Sequence, residues 1–498
     1  MSNSDKSSLS SDEHIRYTLA SNADTDTDSD YNVDHDDQDD NMAHSSGESS
    51  GDLSDESDDS DSDDNEVDDS DTSVDAEWIE GDLEAHLPQF DGTFELSEGV
   101  NLPSSPSPID IFTLFLSSDI VDHIVQQSNL YRTQQNLKQD PMNDLDFYQL
   151  LGFLSYASLI RLPSKDDYWS QLSMQEIIAN NITRNRIDEL LRTLHFNDNV
   201  LNAAKCDKIQ PLIDLFNKRC AVLVDQEEHM SVDEQMVGYK GKTAPPSLKQ
   251  YMPNKPSKHG FKLWSKSGVS GFVYQIQLYC GANKAAPKPT MTGPASILAR
   301  TTRLAATTVD NYEETTRQHE DRKKFDTSGM VVLDLLKNVP EGTKVFVNNY
   351  FGSVALIRKL TELGFGVVCT LRRNRIDKCP LLSEKEMRKK VRGFNDYRVT
   401  NDKQCVLVAW KDLKCVLIGS NYVGIEPIVK LARWDKNQRK KVDISAPQII
   451  SVYNKHMGGV DTTDMLCSLH PIPFRSKKWY MRLVWRVFDL MLSNSWLI

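Results

Sequence analysis

Three short segments, far apart in the sequence, hold residue types that could bind divalent metal ions. They are 231–235 (SVDEQ), 347–351 (VNNYF) and 458–464 (GGVDTTD). The outer two supply Asp233, Asp461 and Asp464, whereas the middle one supplies only the amides of Asn348 and Asn349. Two Mg²⁺ ions about 3.5–4 Å apart can promote phosphodiester transfer, and Mg²⁺ prefers carboxylate ligands. Spacing alone makes this a weak signal, since only folding could bring the three segments together.

Each segment adjoins a predicted strand or helix that could position it. A β-rich run over 229–233 ends at Asp233, and a strand over 344–347 ends at Asn348. A helix over about 446–457 precedes Asp461. Further strands, of which 272–280 alternates apolar and polar residues, and helices at 330–338 and 353–363 predict a mixed α/β sheet with helices packed on it.

The stretch before this sheet has helical spacing of its apolar residues. The predicted helices begin near Pro108 and lie at 108–125, 144–160, 172–180, 183–195 and 208–223, with Thr183 as the cap of the fourth. Residues 284–328 are poor in large apolar groups, and we expect a disordered or weakly helical insertion there. Residues 373–440 are predicted to form a separate β-rich module, and a last helix is predicted over 476–498.

The charge is divided unevenly along the 498 residues. Residues 1–100 hold 33 Asp and Glu against 2 Lys and Arg, whereas the rest holds 40 acids and 55 bases. We expect the Ser/Asp-rich first part to be disordered, serving as a solubilising tail, a substrate for an acidophilic kinase or a shield for the basic body. The basic remainder suits a polyanionic partner, because Lys and Arg replace the counterions of phosphate.

Other sequence signals exclude several classes of protein. The eight cysteines form no C-x-x-C pair and show no zinc-ligand spacing, so we expect reduced thiols in an intracellular protein. The acidic N-terminus does not resemble a signal peptide, and no apolar stretch is long enough to span a membrane. These features predict a soluble protein of the cytosol or nucleus.

Several motifs in a fixed order carry a resemblance to a known family. The segments are 193–198 (TLHFND), 208–213 (KIQPLI), 231–241 (SVDEQMVGYKG), 260–264 (GFKLW), 423–427 (VGIEP), 453–464 (YNKHMGGVDTTD) and 477–480 (KKWY). Over residues 108–498 the sequence resembles the piggyBac transposase family, and within it the piggyBac transposable element-derived proteins of animal genomes. The number of ordered motifs makes a chance match improbable.

The resemblance implies an RNase H-like (retroviral integrase-like) catalytic core with an all-aspartate site. It implies that Asp233 and Asp461 are catalytic and bind metal, that Asp464 supports them, and that Asn348 occupies the position of the second catalytic acid. Asn offers a neutral carbonyl oxygen in place of an anion, so we expect the site to have lost strand transfer. Binding of Mg²⁺ at the remaining acids is possible, but we expect that it is not retained. In the alternative interpretation, Asp233 and Asp461 cap turns without binding metal.

The resemblance also implies a domain layout for this α/β protein. The expected parts are an acidic tail (1–100), a helical dimerisation and DNA-binding domain (105–228), the core (229–372 and 441–470, with the insertion 284–328), a basic β-rich insertion domain (373–440) and a return to the helical domain (471–498). Relatives commonly continue into a zinc-binding module. No such module is present here, and the chain stops inside an apolar helical pattern, so we expect a fragment or a shortened gene model.

Residues 372–441 hold 19 Lys and Arg against 8 Asp and Glu. We predict that their clusters contact DNA phosphates without sequence preference, although a solvated basic face would have the same composition. The predicted DNA-binding residues are Arg372, Arg373, Arg375, Arg388, Lys389, Lys390, Arg392, Arg439, Lys440 and Lys441. A second basic cluster on the last helix, beside Trp479, is interpreted as packing instead.

The leading hypothesis is a domesticated, nuclear, transposase-derived protein that binds DNA or chromatin, forms a homodimer and does not associate with membranes. Whether it is an enzyme is left open, with loss of chemistry favoured. One alternative is an active Mg²⁺-dependent transposase or nuclease that tolerates Asn348. Another is a protein-interaction scaffold whose acidic tail recruits basic partners.

Overall fold

The computed structural model describes residues 77–200, 205–253, 255–281, 325–436, 438–474 and 476–498. The predicted disorder of residues 1–76 and of most of the insertion 284–328 lies outside the described residues. Residues 77–100, which were expected to belong to the acidic tail, instead lie along the folded body. Trp78 and Ile79 form strand β1, and the Ser97 N–H donates to the Leu223 carbonyl at 2.9 Å. The apolar residues of this stretch, such as Phe94, explain the difference, because they pack against the core.

Of the described helices, six precede strand His229–Gly238, three lie between later strands and three follow the last strand. In chain order they are α1 (Pro108–Phe115), α2 (Ser118–Gln134), α3 (Asp144–Leu159), α4 (Glu176–Ala179), α5 (Arg184–Thr193), α6 (Gln210–Leu223), α7 (Thr327–Leu335), α8 (Val354–Glu362), α9 (Glu384–Arg388), α10 (Gln448–His456), α11 (Gly459–Leu469) and α12 (Met481–Leu497). Thr183 caps α5 as predicted, since its hydroxyl accepts from the Arg186 N–H at 3.2 Å. None of the helices in the described ranges is long and apolar enough to cross a membrane.

The remaining strands follow the first helical region. They are β2 (His229–Gly238), β3 (Gln250–Tyr251), β4 (His259–Gly268), β5 (Val273–Leu278), β6 (Lys344–Val347), β7 (Gly366–Thr370), β8 (Asn395–Thr400), β9 (Val406–Lys411), β10 (Cys415–Ser420), β11 (Val429–Asp435) and β12 (Lys440–Ala446). The order across the large sheet is β1-β8-β9-β10-β7-β6-β2-β4-β3, and β5 also pairs with β4. Strands β2, β6 and β7 run parallel to one another, while β4 is antiparallel to β2 and β5.

The sheet is buried on both faces. Along β6, Val345 and Val347 pack with α7 and α8 in one apolar cluster, whereas Phe346 between them packs with α10 in another. This alternation follows from the two-residue period of a strand. A third cluster joins the first six helices and α12 to the β4–β5 side of the sheet. The predicted mixed α/β sheet covered by helices is confirmed.

The strands of 373–440 do not form a separate module. Strand β10 pairs with β7, and β9 and β8 follow it, so three of these strands extend the central sheet. Buried apolar residues on both faces of β9, such as Val408 and Ala409, make it an interior strand. Among the described strands, β11 and β12 alone stand apart from the large sheet, as a two-stranded antiparallel hairpin. Short strands predicted one by one do not reveal whether they join an existing sheet.

Candidate active site and basic surface

The register between two parallel strands brings the first two acidic-site segments together. Val232 of β2 lies opposite Val347 of β6, so the next residues along the two strands, Asp233 and Asn348, are neighbours. The Asn348 Nδ2 donates to the Asp233 Oδ1 at 2.9 Å, and the Asn348 Oδ1 accepts the Tyr350 N–H at 2.9 Å. Because a backbone N–H takes the carbonyl end of the Asn348 amide, the donor end faces the carboxylate.

The sequence predicted that strand β2 ends at Asp233, and this prediction is wrong. The strand continues to Gly238, paired with β4 alone once β6 has ended. Asp233 therefore lies in the middle of a strand, opposite Ser265, at the point where parallel pairing stops. Two consecutive polar residues, Glu234 and Gln235, follow Asp233 and interrupt the apolar pattern of a strand, so the sequence did not predict that the strand continues.

A glycine in the third segment, Gly459, lets that segment approach the sheet closely. Asp461 and Asp464 were expected to follow a helix, but they lie within a further helix, α11, that starts at Gly459. A Cβ on Gly459 would lie 2.3 Å from the Gly268 carbonyl oxygen of β4. Thr463, one turn along, donates its hydroxyl to the Gly271 carbonyl at 2.8 Å. The bare glycine backbone thus lets α11 rest against β4.

The two aspartates of α11 have different surroundings. Asp461 lies exposed in the first turn of the helix. Asp464 forms an ion pair with Arg486 of α12. Burial raises the pKa of Asp464 above its usual range, although the charges of Arg486 and Lys255 oppose that shift. One carboxylate of this segment is therefore held by a partly buried arginine, whose side chain is 13% exposed, and the other is open to solvent.

A lysine that was not singled out from the sequence, Lys255, links the first and third segments electrostatically. The Lys255 Nζ donates to the Glu234 carbonyl at 3.2 Å and lies 3.6 Å from its Oε1. Burial alone would lower the pKa of Lys255, but nearby carboxylates raise it above the usual value. Those carboxylates belong to Asp233, Glu234, Asp461 and Asp464. No spacing rule connects residue 255 to these acids, since only the fold places it among them.

The buried pair Asp233 and Glu234 responds to opposite influences. Burial raises the pKa of Asp233 well above its ordinary value, and the charge of Glu234 adds to that effect. Burial also acts upward on Glu234, but the charge of Lys255, the hydrogen bond with Asp233 and the charge of Lys262 outweigh it and lower the pKa of that carboxyl. The Lys262 Nζ lies 4.0 Å from the centre of the Trp264 ring and 4.5 Å from that of Tyr350. Two lysines therefore face the acidic cluster.

The side chains around Asp233, Asn348 and Asp464 do not fit a two-metal site of the kind that the resemblance implies. Within the described ranges, no three His, Cys, Asp or Glu side chains converge as metal ligands do. Asp233 accepts the Asn348 amide, Asp464 is bound by Arg486, and Lys255 already supplies a positive charge. Mg²⁺ needs several oxygen ligands within about 2.1 Å, and a neighbouring ammonium competes electrostatically with it.

The predicted DNA-binding residues divide into two groups. Eight have exposed side chains, namely Arg372, Arg373, Arg388, Lys389, Lys390, Arg439, Lys440 and Lys441. The other two are partly buried and engaged within the fold. Arg375 donates to Asp326 and to the Tyr350 carbonyl, each at 2.6 Å, and Arg392 pairs with Asp412. The eight exposed residues are accessible to solvent in three clusters along the chain, although Arg388 also pairs with Glu384 and Arg373 donates to the Leu382 carbonyl.

Comparisons with known proteins agree with this architecture. A family model described as Transposase IS4 matches residues 107–496. The fold is similar to a cryo-EM structure of a piggyBac transposase synaptic complex with hairpin DNA, with a TM-score of 0.61 and 21% identity over 82% of this chain and 77% of that one. The chain therefore belongs to the piggyBac transposase family.

Two human relatives are piggyBac transposable element-derived proteins. The chain is 29% identical to PiggyBac transposable element-derived protein 3 over 398 residues, which are 78% of this chain and 60% of that protein. It is 27% identical to PiggyBac transposable element-derived protein 2 over the same share of this chain and 61% of that protein. The chain thus spans about three fifths of the length of these curated relatives.

Proposed function

We propose that this protein is a domesticated transposase derivative that binds DNA or chromatin in the nucleus and no longer carries out strand transfer. The observation that carries the proposal is the contact between Asn348 and Asp233. It puts an amide donor where the resemblance implies a second catalytic carboxylate. The ion pair of Asp464 and the position of Lys255 support the same conclusion, because they engage acids that metal ions would require.

The proposal includes an RNase H-like core, and the strand arrangement supports it. The order β5-β4-β2-β6-β7, with an antiparallel meander of β2, β4 and β5 followed by the parallel strands β6 and β7, is the arrangement that we expect of an RNase H-like core. The Asp233–Asn348 pair lies where the central strands β2 and β6 part. The remaining domain boundaries predicted from the sequence are part of the proposal too.

The DNA-binding part of the proposal rests on the exposed basic residues and on the similar fold of a transposase that was solved with hairpin DNA. Contact through phosphates predicts that the logarithm of the affinity falls linearly with the logarithm of the salt concentration. Fluorescence anisotropy with the full chain and a labelled duplex, repeated over a salt series, measures this slope. A flat slope, or no binding, would favour the alternative of a protein-interaction scaffold.

Loss of chemistry is tested by nicking of supercoiled plasmid in Mg²⁺ and in Mn²⁺. We expect no metal-dependent nicking by the wild-type chain above that of a matched Asp233→Ala variant. Wild-type nicking that disappears in Asp233→Ala would instead favour an active transposase. An Asn348→Asp variant tests whether one carboxylate restores activity, and equal, metal-dependent cleavage by wild type and this variant would sink the proposal.

Homodimer formation through the helical region completes the proposal. Light scattering coupled to size-exclusion chromatography of the full chain measures the mass directly. A monomer at all concentrations would remove this part while leaving DNA binding intact. Imaging of a tagged full chain tests its nuclear location independently.

A further inference from the structure

The β11–β12 hairpin is held firmly at its base. Its inward-facing residues, among them Leu431 and Ile444, pack against the apolar cluster around β9 and α10, and Ala446 is fully buried. The Trp410 Nε1 donates to the Ser445 carbonyl of β12 at 3.0 Å. Buried Arg433 reaches back toward Asp412, 3.7 Å away. The hairpin therefore projects from a fixed base.

The outer face of the same hairpin presents an exposed indole. Strand alternation turns Lys430, Ala432 and Trp434 outward, opposite the inward-facing residues. Trp434 is 46% exposed and lies directly opposite Lys441 of β12. A tryptophan side chain has a large apolar ring, so its exposure leaves a flat aromatic face open to a partner.

Cations border this indole. Between 434 and 441 the sequence carries four basic residues, Lys436, Arg439, Lys440 and Lys441, and one acid, Asp435. The four basic side chains are exposed. The Asp435 carboxylate turns back into the hairpin, where it accepts the Gln438 N–H at 2.9 Å. The outer end of the hairpin thus combines a flat apolar surface with a rim of positive charge.

The ligand that matches both properties has phosphates and a flat aromatic face. Bases inside a duplex are stacked on both sides, so a protein ring can reach only an unpaired or terminal base. We infer that Trp434 stacks on an unpaired or terminal nucleobase of DNA, while the phosphates beside it contact Lys436, Arg439, Lys440 and Lys441. This inference rests on the proposed DNA-binding function and adds to it a preference for DNA that carries unpaired bases.

The test compares two labelled DNAs by anisotropy with the full chain: a blunt duplex and the same duplex with a short single-stranded extension. We expect the wild type to bind the extended DNA more tightly. Trp434→Ala should weaken binding of the extended DNA by roughly 5- to 140-fold, the range of one base–aromatic stack. Binding of the blunt duplex should fall by a smaller factor, since it offers the indole only the outer faces of its two terminal base pairs.

Two further variants serve as controls. Trp434→Phe keeps an aromatic face and should retain most of the preference for the extended DNA. Trp496→Ala removes another exposed tryptophan, 81% accessible on α12, and should leave both affinities unchanged. Equal losses on both DNAs, or no loss in Trp434→Ala, would overturn the inference and leave the proposed DNA binding standing. Failure of the wild type to bind either DNA would overturn both.

Discussion

Asn348 donates its side-chain amide to the Asp233 carboxylate at 2.9 Å, across the junction of parallel strands β2 and β6. The amide cannot turn its oxygen toward the carboxylate without giving up the Tyr350 N–H that the oxygen accepts. The contact therefore stabilises a buried carboxylate with a neutral donor. A carboxylate at position 348 would replace this attraction by repulsion between two acids.

Replacing Asn348 by Asp should destabilise the fold. The variant loses a buried hydrogen bond and sets two carboxylates side by side, which should lower the free energy of unfolding by about 1–3 kcal/mol at neutral pH. Asn348→Ala separates the two causes, because it removes the amide without adding charge. Urea denaturation at neutral and at acidic pH measures both variants.

The acidic measurement gives the sign of the charge effect. Repulsion raises the folded-state pKa of the paired carboxyls above their unfolded values, so the folded state binds more protons and the destabilisation of Asn348→Asp shrinks as pH falls. The deficit of Asn348→Ala should change less with pH. An Asn348→Asp variant as stable as wild type at neutral pH would show that the two side chains are not in contact.

Lys255 should contribute more to stability than other lysines of its loop. Lys255→Met leaves the carboxylates of Asp233 and Glu234 without their nearest cation, and removing one partner of a largely buried ion pair costs about 3 kcal/mol. Lys258→Met, on the same loop and exposed, should change stability by no more than about 0.5 kcal/mol. Chemical denaturation of both variants in the same buffer makes the comparison.

The pH dependence of the Lys255 effect follows from the shifts around it. Neighbouring acids raise the pKa of Lys255, so while those acids are charged its contribution is fully present below its unfolded pKa and is lost, on the alkaline side, only as pH rises through the folded value. In Lys255→Met the deficit should shrink toward acidic pH, where the raised pKa of Asp233 lets that group take up a proton. Equal deficits in Lys255→Met and Lys258→Met would refute the cluster.

The sequence predicted what depends on local pattern. The strand 344–347, the cap at Thr183 and most helices have their expected positions because alternation, helical spacing and capping act over a few residues. The attachment of β8–β10 to the central sheet and the place of Lys255 among the acids depend on contacts between distant residues, which no local pattern encodes. Asn348 could be singled out only because the resemblance supplied the residue to be expected there.

Gly459 should be intolerant of a side chain, and its neighbour should not. A Cβ on Gly459 meets the Gly268 carbonyl oxygen at 2.3 Å, so Gly459→Ala must push α11 away from β4 at a cost of about 1–3 kcal/mol. Apart from its own chain neighbours, no residue has an atom within 4 Å of a Cβ built on Gly458, so Gly458→Ala is the matched control. Thermal unfolding of the two variants should show a lower Tm for Gly459→Ala alone, and similar values would contradict the close approach of α11.

The two groups of basic residues should separate in binding and stability measurements. Combined substitution of Arg439, Lys440 and Lys441 by Ala should leave stability nearly unchanged, because all three are exposed. The same substitutions should weaken DNA binding and reduce the salt slope by roughly 1 for each phosphate that the variant no longer neutralises.

Arg375→Ala and Arg392→Ala should do the reverse: they leave Asp326 and Asp412 without those cations, so the free energy of unfolding falls while the salt slope stays near that of wild type. Anisotropy over a salt series and urea denaturation on the same preparations measure both quantities. A drop in salt slope for Arg375→Ala as large as that of the triple variant would place Arg375 on the DNA-contacting surface instead.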